Sequence, residues 1–136
     1  MELDQLLRNR RSVRHYLNKE VPRDMLESLI KAAQEAPVSC NLQLTRYVVV
    51  DDKELLVKLK NQVSYKFGYA PVCILVLYDP RFTVERQSVV SSAAMAAENI
   101  LLKAVDIGLS TCPMSGFNKD DRIKKILGIP QGIKIL

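Results

Sequence analysis

The chain has 136 residues, 48% of them hydrophobic, and a formal net charge of +5 from 20 basic and 15 acidic residues. That length predicts one domain with room for a real core, and that apolar content excludes a disordered chain. The charge favours an anionic ligand without singling out nucleic acid, and three scattered cysteines (Cys40, Cys73, Cys112) with a lone histidine, His15, argue against a disulfide scaffold or an ordinary zinc site.

Residues 2–9 read as a short helix carrying Leu3, Leu6 and Leu7, followed by an irregular link over 11–21. Pro22 suits the first turn of a second helix, whose apolar stripe is Met25, Leu26, Leu29, Ile30 and Ala33 and which Pro37 ends. Tyr47 to Val50 predicts a buried strand, Asp51-Asp52 its turn, and 53–61 a helix with Leu55, Leu56 and Leu59 inward. Val72 to Leu77 is apolar on both faces, which predicts a central strand covered by helices. The longest helix is predicted over 88–107, with Gly108 as its stop. Its alanines, Ala93, Ala94, Ala96 and Ala97, allow another backbone to approach closely, and this helix is the expected subunit interface. Asn118 is the expected cap of a last helix bearing Ile123, Ile126 and Leu127 and stopping at Gly128; Ile133 to Leu136 opens a strand whose apolar edge is expected to be exposed. The charged N-terminus lacks the apolar segment of a signal peptide, and Glu98, Lys103 and Asp106 interrupt the longest apolar stretch. The expectation is a cytoplasmic protein without a membrane span.

Three polar constellations stand out. The first is Arg8-Asn9-Arg10-Arg11-Ser12-Val13-Arg14, with four guanidinium groups in seven residues. Arginine is suited to bidentate contact with phosphates and other planar anions, and a cluster this tight must face solvent or an anion. The second is the loop Pro37-Val38-Ser39-Cys40-Asn41-Leu42-Gln43. The third is Gly108-Leu109-Ser110-Thr111-Cys112-Pro113-Met114-Ser115-Gly116-Phe117, which leaves the long helix. Cys73 reads as a small buried hydrophobe, Cys112 as structural, and His15 as a surface or packing residue.

In order and spacing these segments resemble the FMN-dependent nitroreductase family, over residues 3–134. The family's early RRSxR-like motif is matched by Arg10 to Arg14 and its P-S-S-x-N-x-Q loop by Pro37 to Gln43. Its A-P-x-x-I-x-V strand is matched by Ala70 to Val76, its A-A-x-N helix by Ala96 to Leu109, and its L-G-I-P ending by Leu127 to Pro130. The chain departs from the pattern at Val38, where the family has serine, and at Leu44-Thr45, where it has Pro-Trp.

The resemblance implies an α+β fold, a mostly antiparallel sheet flanked by helices, in an intertwined homodimer. It implies a single FMN-binding domain over 1–136, lacking the further strand and basic C-terminal arm that relatives carry after this point. Arg10 and Ser12 would serve the ribityl phosphate, Arg14 the pyrimidine edge of the ring, and Arg11 a backbone contact. Ser39, Asn41 and Gln43 would reach the cofactor of the partner subunit. Pro113, Met114, Ser115 and Gly116 would lie along one face of the flavin, with a backbone N–H near Ser115 aimed at N5. No protein side chain is expected to be catalytic and no metal is expected, because the flavin carries the redox chemistry. The implied activity is a two-electron, ping-pong transfer from NAD(P)H through FMN to an electron-poor acceptor such as a nitroaromatic or quinone. Two alternatives stand beside it: a flavin-binding protein without turnover, and a nucleic-acid-binding module using Arg8 to Arg14. The second is disfavoured because no aromatics interleave the arginines.

Overall fold

The computed structural model describes residues 1–63, 69–82, 85–115 and 120–136. In chain order these form α1 (Leu3–Asn9), α2 (Arg23–Gln34), a 3-10 turn (Ser39–Asn41), β1 (Thr45–Val50) and α3 (Lys53–Lys60). Then come β2 (Cys73–Tyr78), a second 3-10 turn (Pro80–Phe82), α4 (Arg86–Asp106), α5 (Asp120–Leu127) and β3 (Lys134–Ile135). The strands make an antiparallel sheet in the order β1-β2-β3, with Val48 opposite Leu75 and Leu77 opposite Ile135.

The doubly apolar sequence of β2 has the expected consequence. One face, with Leu75 and Leu77, packs with Val50, Leu59, Ile123, Ile129 and Ile133 beneath α3 and α5. The other, with Ile74 and Val76, packs against Leu26, Leu29, Ala33, Ala96, Ile100 and Ala104 of α2 and α4. Helices on both sides thus hold the middle strand out of water. β1 differs from the expectation: only Val50 is fully buried, and Tyr47, Val48 and Val49 are half-buried. Sheet order explains this, because β1 lies at an edge and has a neighbour on one side only among the described strands.

α4 is long and apolar enough to cross a bilayer by length and composition. Here Val89, Ala93, Ala96, Ile100 and Ala104 bury its inner stripe in the core. α2 of the same chain approaches closely along Ala96 and Ala104, which are 2% and 0% exposed, and the Asn99 side chain donates to the Ala32 carbonyl at 3.0 Å. Ala94, Met95 and Glu98 point to solvent. Gly108 at φ +79° and Gly128 at φ +67° stop α4 and α5 in the left-handed conformation that favours glycine. Asp52 is more than a turn residue, since its carboxylate accepts from Leu55 N at 2.9 Å and caps α3. The expected cap Asn118 lies outside the described residues. β3 lies at an edge of the sheet, as expected, with β2 as its one neighbour among the described strands, while the apolar side chains here are buried: Ile133 and Ile135 are each 9% exposed and pack with Leu75, Leu77 and Ile123.

Beyond β2 the chain builds a buried acid. Asp79 Oδ1 accepts from Arg81 N at 3.1 Å and Arg81 Nε at 2.9 Å, and Oδ2 accepts from Nη2 at 2.7 Å. Gly132 gives this fork its seat, since a Cβ there would lie 2.6 Å from Arg81 Cδ. Hydrogen bonding from the Arg81 side chain, against the opposing effect of burial, holds the Asp79 carboxyl down to about 2. A carboxyl depressed in the fold stabilises it above its unfolded pKa, near about 4, and ceases to do so as pH falls through the folded value. Wild type is therefore expected to be more stable than Asp79→Asn above about pH 4, with the gap narrowing as pH falls toward about 2. Urea midpoints measured across that range check this, and a pH-independent gap would contradict it.

Candidate functional site

The arginine motif begins where α1 ends. Arg10 N bonds Leu6 O at 3.0 Å, and Arg10 then turns the chain into an extended course. Ser12 pairs with Thr111 in a parallel bridge, and Val13 N donates to Thr111 O at 2.9 Å. Tyr16 tightens the turn by donating its hydroxyl to Val13 O at 2.6 Å; burial raises its phenol above the usual value, and the nearby Cys112 adds to the shift.

Arg10 is half-buried, while Arg8, Arg11, Ser12 and Arg14 are exposed. Arg11 Nη1 donates to Arg10 O at 2.8 Å and Arg14 Nη1 to Ser12 O at 3.4 Å. Among the described residues no carboxylate forms an ion pair with any of these four arginines. No described carboxylate therefore compensates their charge, which leaves it open to an anion.

The bridge brings the third constellation beside the first. After Gly108, Leu109 N bonds back to Ala104 O at 2.8 Å, and the chain leaves α4 through Ser110 to Ser115. Pro113 and Ser115 are exposed and Met114 is half-buried. Gly116 lies outside the described residues. Cys112 is half-buried, its thiol 3.6 Å from Pro113 O. Among the described residues the buried Thr111 hydroxyl has no hydrogen-bond partner, whereas its carbonyl accepts from Val13 N. Burial pushes the Cys73 thiol up, in keeping with a packing role, and His15 is exposed.

The second constellation sits elsewhere. Ser39 N donates to Ser92 Oγ at 3.1 Å, near the start of α4, whereas the third constellation follows its end. From Ser92 to Asp106 the helix axis advances about 21 Å. Ser39 is half-buried, Asn41 and Gln43 are exposed, and Gln43 Nε2 donates to Asn41 Oδ1 at 3.3 Å. Beside them an open cavity of about 620 Å³ lies between the end of α2 and β1, lined in part by Gln34, Pro37, Arg46 and Tyr47. One chain thus joins two constellations at one end of α4 and holds the third at the other.

Sequence reasoning assigned no role to Thr111, Arg46 or Ser92. Thr111 lay in plain view within the third constellation, but only its pairing with Ser12 marks it. Arg46 and Ser92 carry no local signal, because each acts on a loop folded back against it.

The Nitroreductase family model matches residues 7–67 and 64–136, and the chain belongs to that oxidoreductase family. A relative in Archaeoglobus fulgidus, bearing an NADH dehydrogenase/NAD(P)H nitroreductase name, is 30% identical over 138 residues, covering 96% of this chain and 78% of the relative. The crystal structure of a nitroreductase family protein from Clostridium novyi NT superposes with a TM-score of 0.91 at 25% identity, over 100% of this chain and 81% of that one. An FMN-dependent nitroreductase from Clostridium difficile R20291 superposes at 0.86 with 29% identity, over 98% and 82%. The α+β architecture, with its antiparallel sheet between helices, is the nitroreductase fold.

Proposed function

We propose that the chain is an FMN-dependent NAD(P)H oxidoreductase that delivers two electrons to an electron-poor acceptor such as a nitroaromatic or a quinone. The observation that carries this reading is the Ser12–Thr111 bridge, which sets guanidinium groups that have no carboxylate partner among the described residues beside the loop Ser110 to Ser115. A flavin mononucleotide needs both an anion site and a polar backbone surface, and these residues supply them. When bound, the flavin supplies the redox chemistry.

The chain's own residues do the rest. Arg10 and Ser12 bind the phosphate, Arg11 contributes a backbone contact, and Arg14 sets positive charge at the pyrimidine edge of the ring. With FMN bound, Pro113, Met114 and Ser115 would lie along one face of the ring, with a backbone N–H near Ser115 toward N5; Gly116, outside the described residues, would extend that stretch. Ser39, Asn41 and Gln43 of a second copy complete the site, which accounts for their distance from the arginines within one chain.

Purified protein is expected to show visible flavin absorption that NAD(P)H bleaches and that a nitroaromatic or quinone restores. A yellow protein that NAD(P)H cannot bleach would make it a flavin binder without turnover. A colourless one that takes up no FMN but binds RNA or DNA in a strongly salt-dependent way would assign the arginines to nucleic acid.

A further inference from the structure

The loop between α2 and β1 has a backbone that its sequence does not favour. Cys40, Asn41 and Gln43 adopt φ of +51°, +53° and +51°, three left-handed residues among four, none of them glycine. Each such residue is disfavoured, and the conformation persists only where the surroundings over-determine it. The surroundings are identifiable. Arg46 Nη1 donates to Gln43 O at 2.6 Å and to Thr45 O at 2.9 Å, folding the side chain back over its own loop. Ser92, 4% exposed on α4, accepts from Ser39 N at 3.1 Å while its hydroxyl donates to Ser88 O at 2.9 Å. Asp79 N closes the far end on Leu44 O at 2.9 Å.

The pins therefore bracket the strained stretch. Ser92 fixes its entry, and Arg46 and Asp79 fix its exit. Between them, Asn41 and Gln43 have side chains that bond each other and face solvent. Nothing within the described residues uses those side chains further. A loop held in an unfavourable shape with its polar groups outward is preformed for a ligand, and preforming removes the cost of ordering it on binding.

We propose that Arg46 and Ser92 are positioning residues: they hold Ser39 to Gln43 in the conformation that receives flavin at the neighbouring copy's site. This rests on the function proposed above. Arg46 acts on the loop through Nη1, which two backbone carbonyls engage, so this role needs no contact with the cofactor.

The test combines two readouts on wild type, Arg46→Met and Ser92→Ala. Met keeps the stem of Arg46 without its donors, and alanine suits the interior of α4. The first readout is hydrogen exchange at Asn41 N and Leu42 N, which bond Val38 O and Ser39 O at 3.2 and 3.1 Å. Both variants are expected to exchange there about tenfold faster or more, with the core amides of β2 and α4 and the melting temperature unchanged. The second readout is FMN titration of the full chain, with affinity expected to fall about tenfold in each variant. Unaltered exchange in both variants would overturn the clamp, and a loosened loop with unaltered FMN affinity would overturn its role in binding. A wild type that binds no FMN would instead overturn the proposed function, with the exchange readout still deciding whether the clamp exists.

Discussion

Replacing Arg10 or Arg14 with alanine is expected to weaken FMN binding roughly ten- to more than a hundredfold. Each substitution removes a charge-assisted contact worth about 1.5–3 kcal/mol. The fold should be untouched, because neither guanidinium is paired with a carboxylate among the described residues. Fluorescence titration of apo-protein at fixed ionic strength measures the loss, and riboflavin as a second ligand separates the two roles. Arg10→Ala should cost FMN more than riboflavin, since only FMN carries the phosphate. Arg14→Ala should cost both alike. Unchanged FMN affinity in both variants would remove the arginines from the site.

The second large effect concerns stability. Leu29 is 3% exposed on α2 and packs in the cluster that joins α2, α4 and the sheet. Truncating a buried leucine removes its transfer free energy and leaves a cavity, at a cost of about 2–5 kcal/mol. Leu29→Ala should therefore lower the melting temperature by roughly 8–20 °C. The upper half of that range is expected, because the facing surface is Ala96, Ile100 and Ala104, whose short alanines leave little to collapse into the gap. Calorimetry decides it, and a drop of only a degree or two would show that α2 is loosely seated.

The parts of the fold that were legible are those whose cause is local. The run through Ile74, Leu75, Val76 and Leu77 announced a strand covered on both faces, and the stripe Leu26, Leu29 and Ala33 announced the buried side of α2. Gly108 and Gly128 announced where helices stop. Half-burial of Tyr47 to Val49 was not legible, because edge or centre is a property of sheet order rather than of a strand's residues. The inward turn of Ile133 and Ile135 depended in the same way on where the last strand docks.

For the site, the residue types were legible but their arrangement was not. Four arginines in seven residues asked for an anion by composition alone. That Ser12 lies against Thr111, far along the chain, follows from no periodicity; resemblance to a family placed the two segments at one ligand, and the bridge shows them in contact. The left-handed loop was invisible for a sharper reason. Of Cys40, Asn41 and Gln43, only asparagine has any leaning toward positive φ, and the groups that enforce the shape sit at Arg46 and Ser92.

α4 spans 21 residues, and the loops at its two ends carry different parts of the proposed flavin site. It therefore works as a ruler. Each residue inserted or deleted would change the spacing of its ends by about 1.5 Å and rotate one against the other by about 100°. In that respect the helix tolerates exchange of residues far better than a change in their number. Exchanging its solvent-facing Ala94, Met95 or Glu98 would leave that spacing intact, whereas lengthening or shortening α4 would misplace one loop against the other.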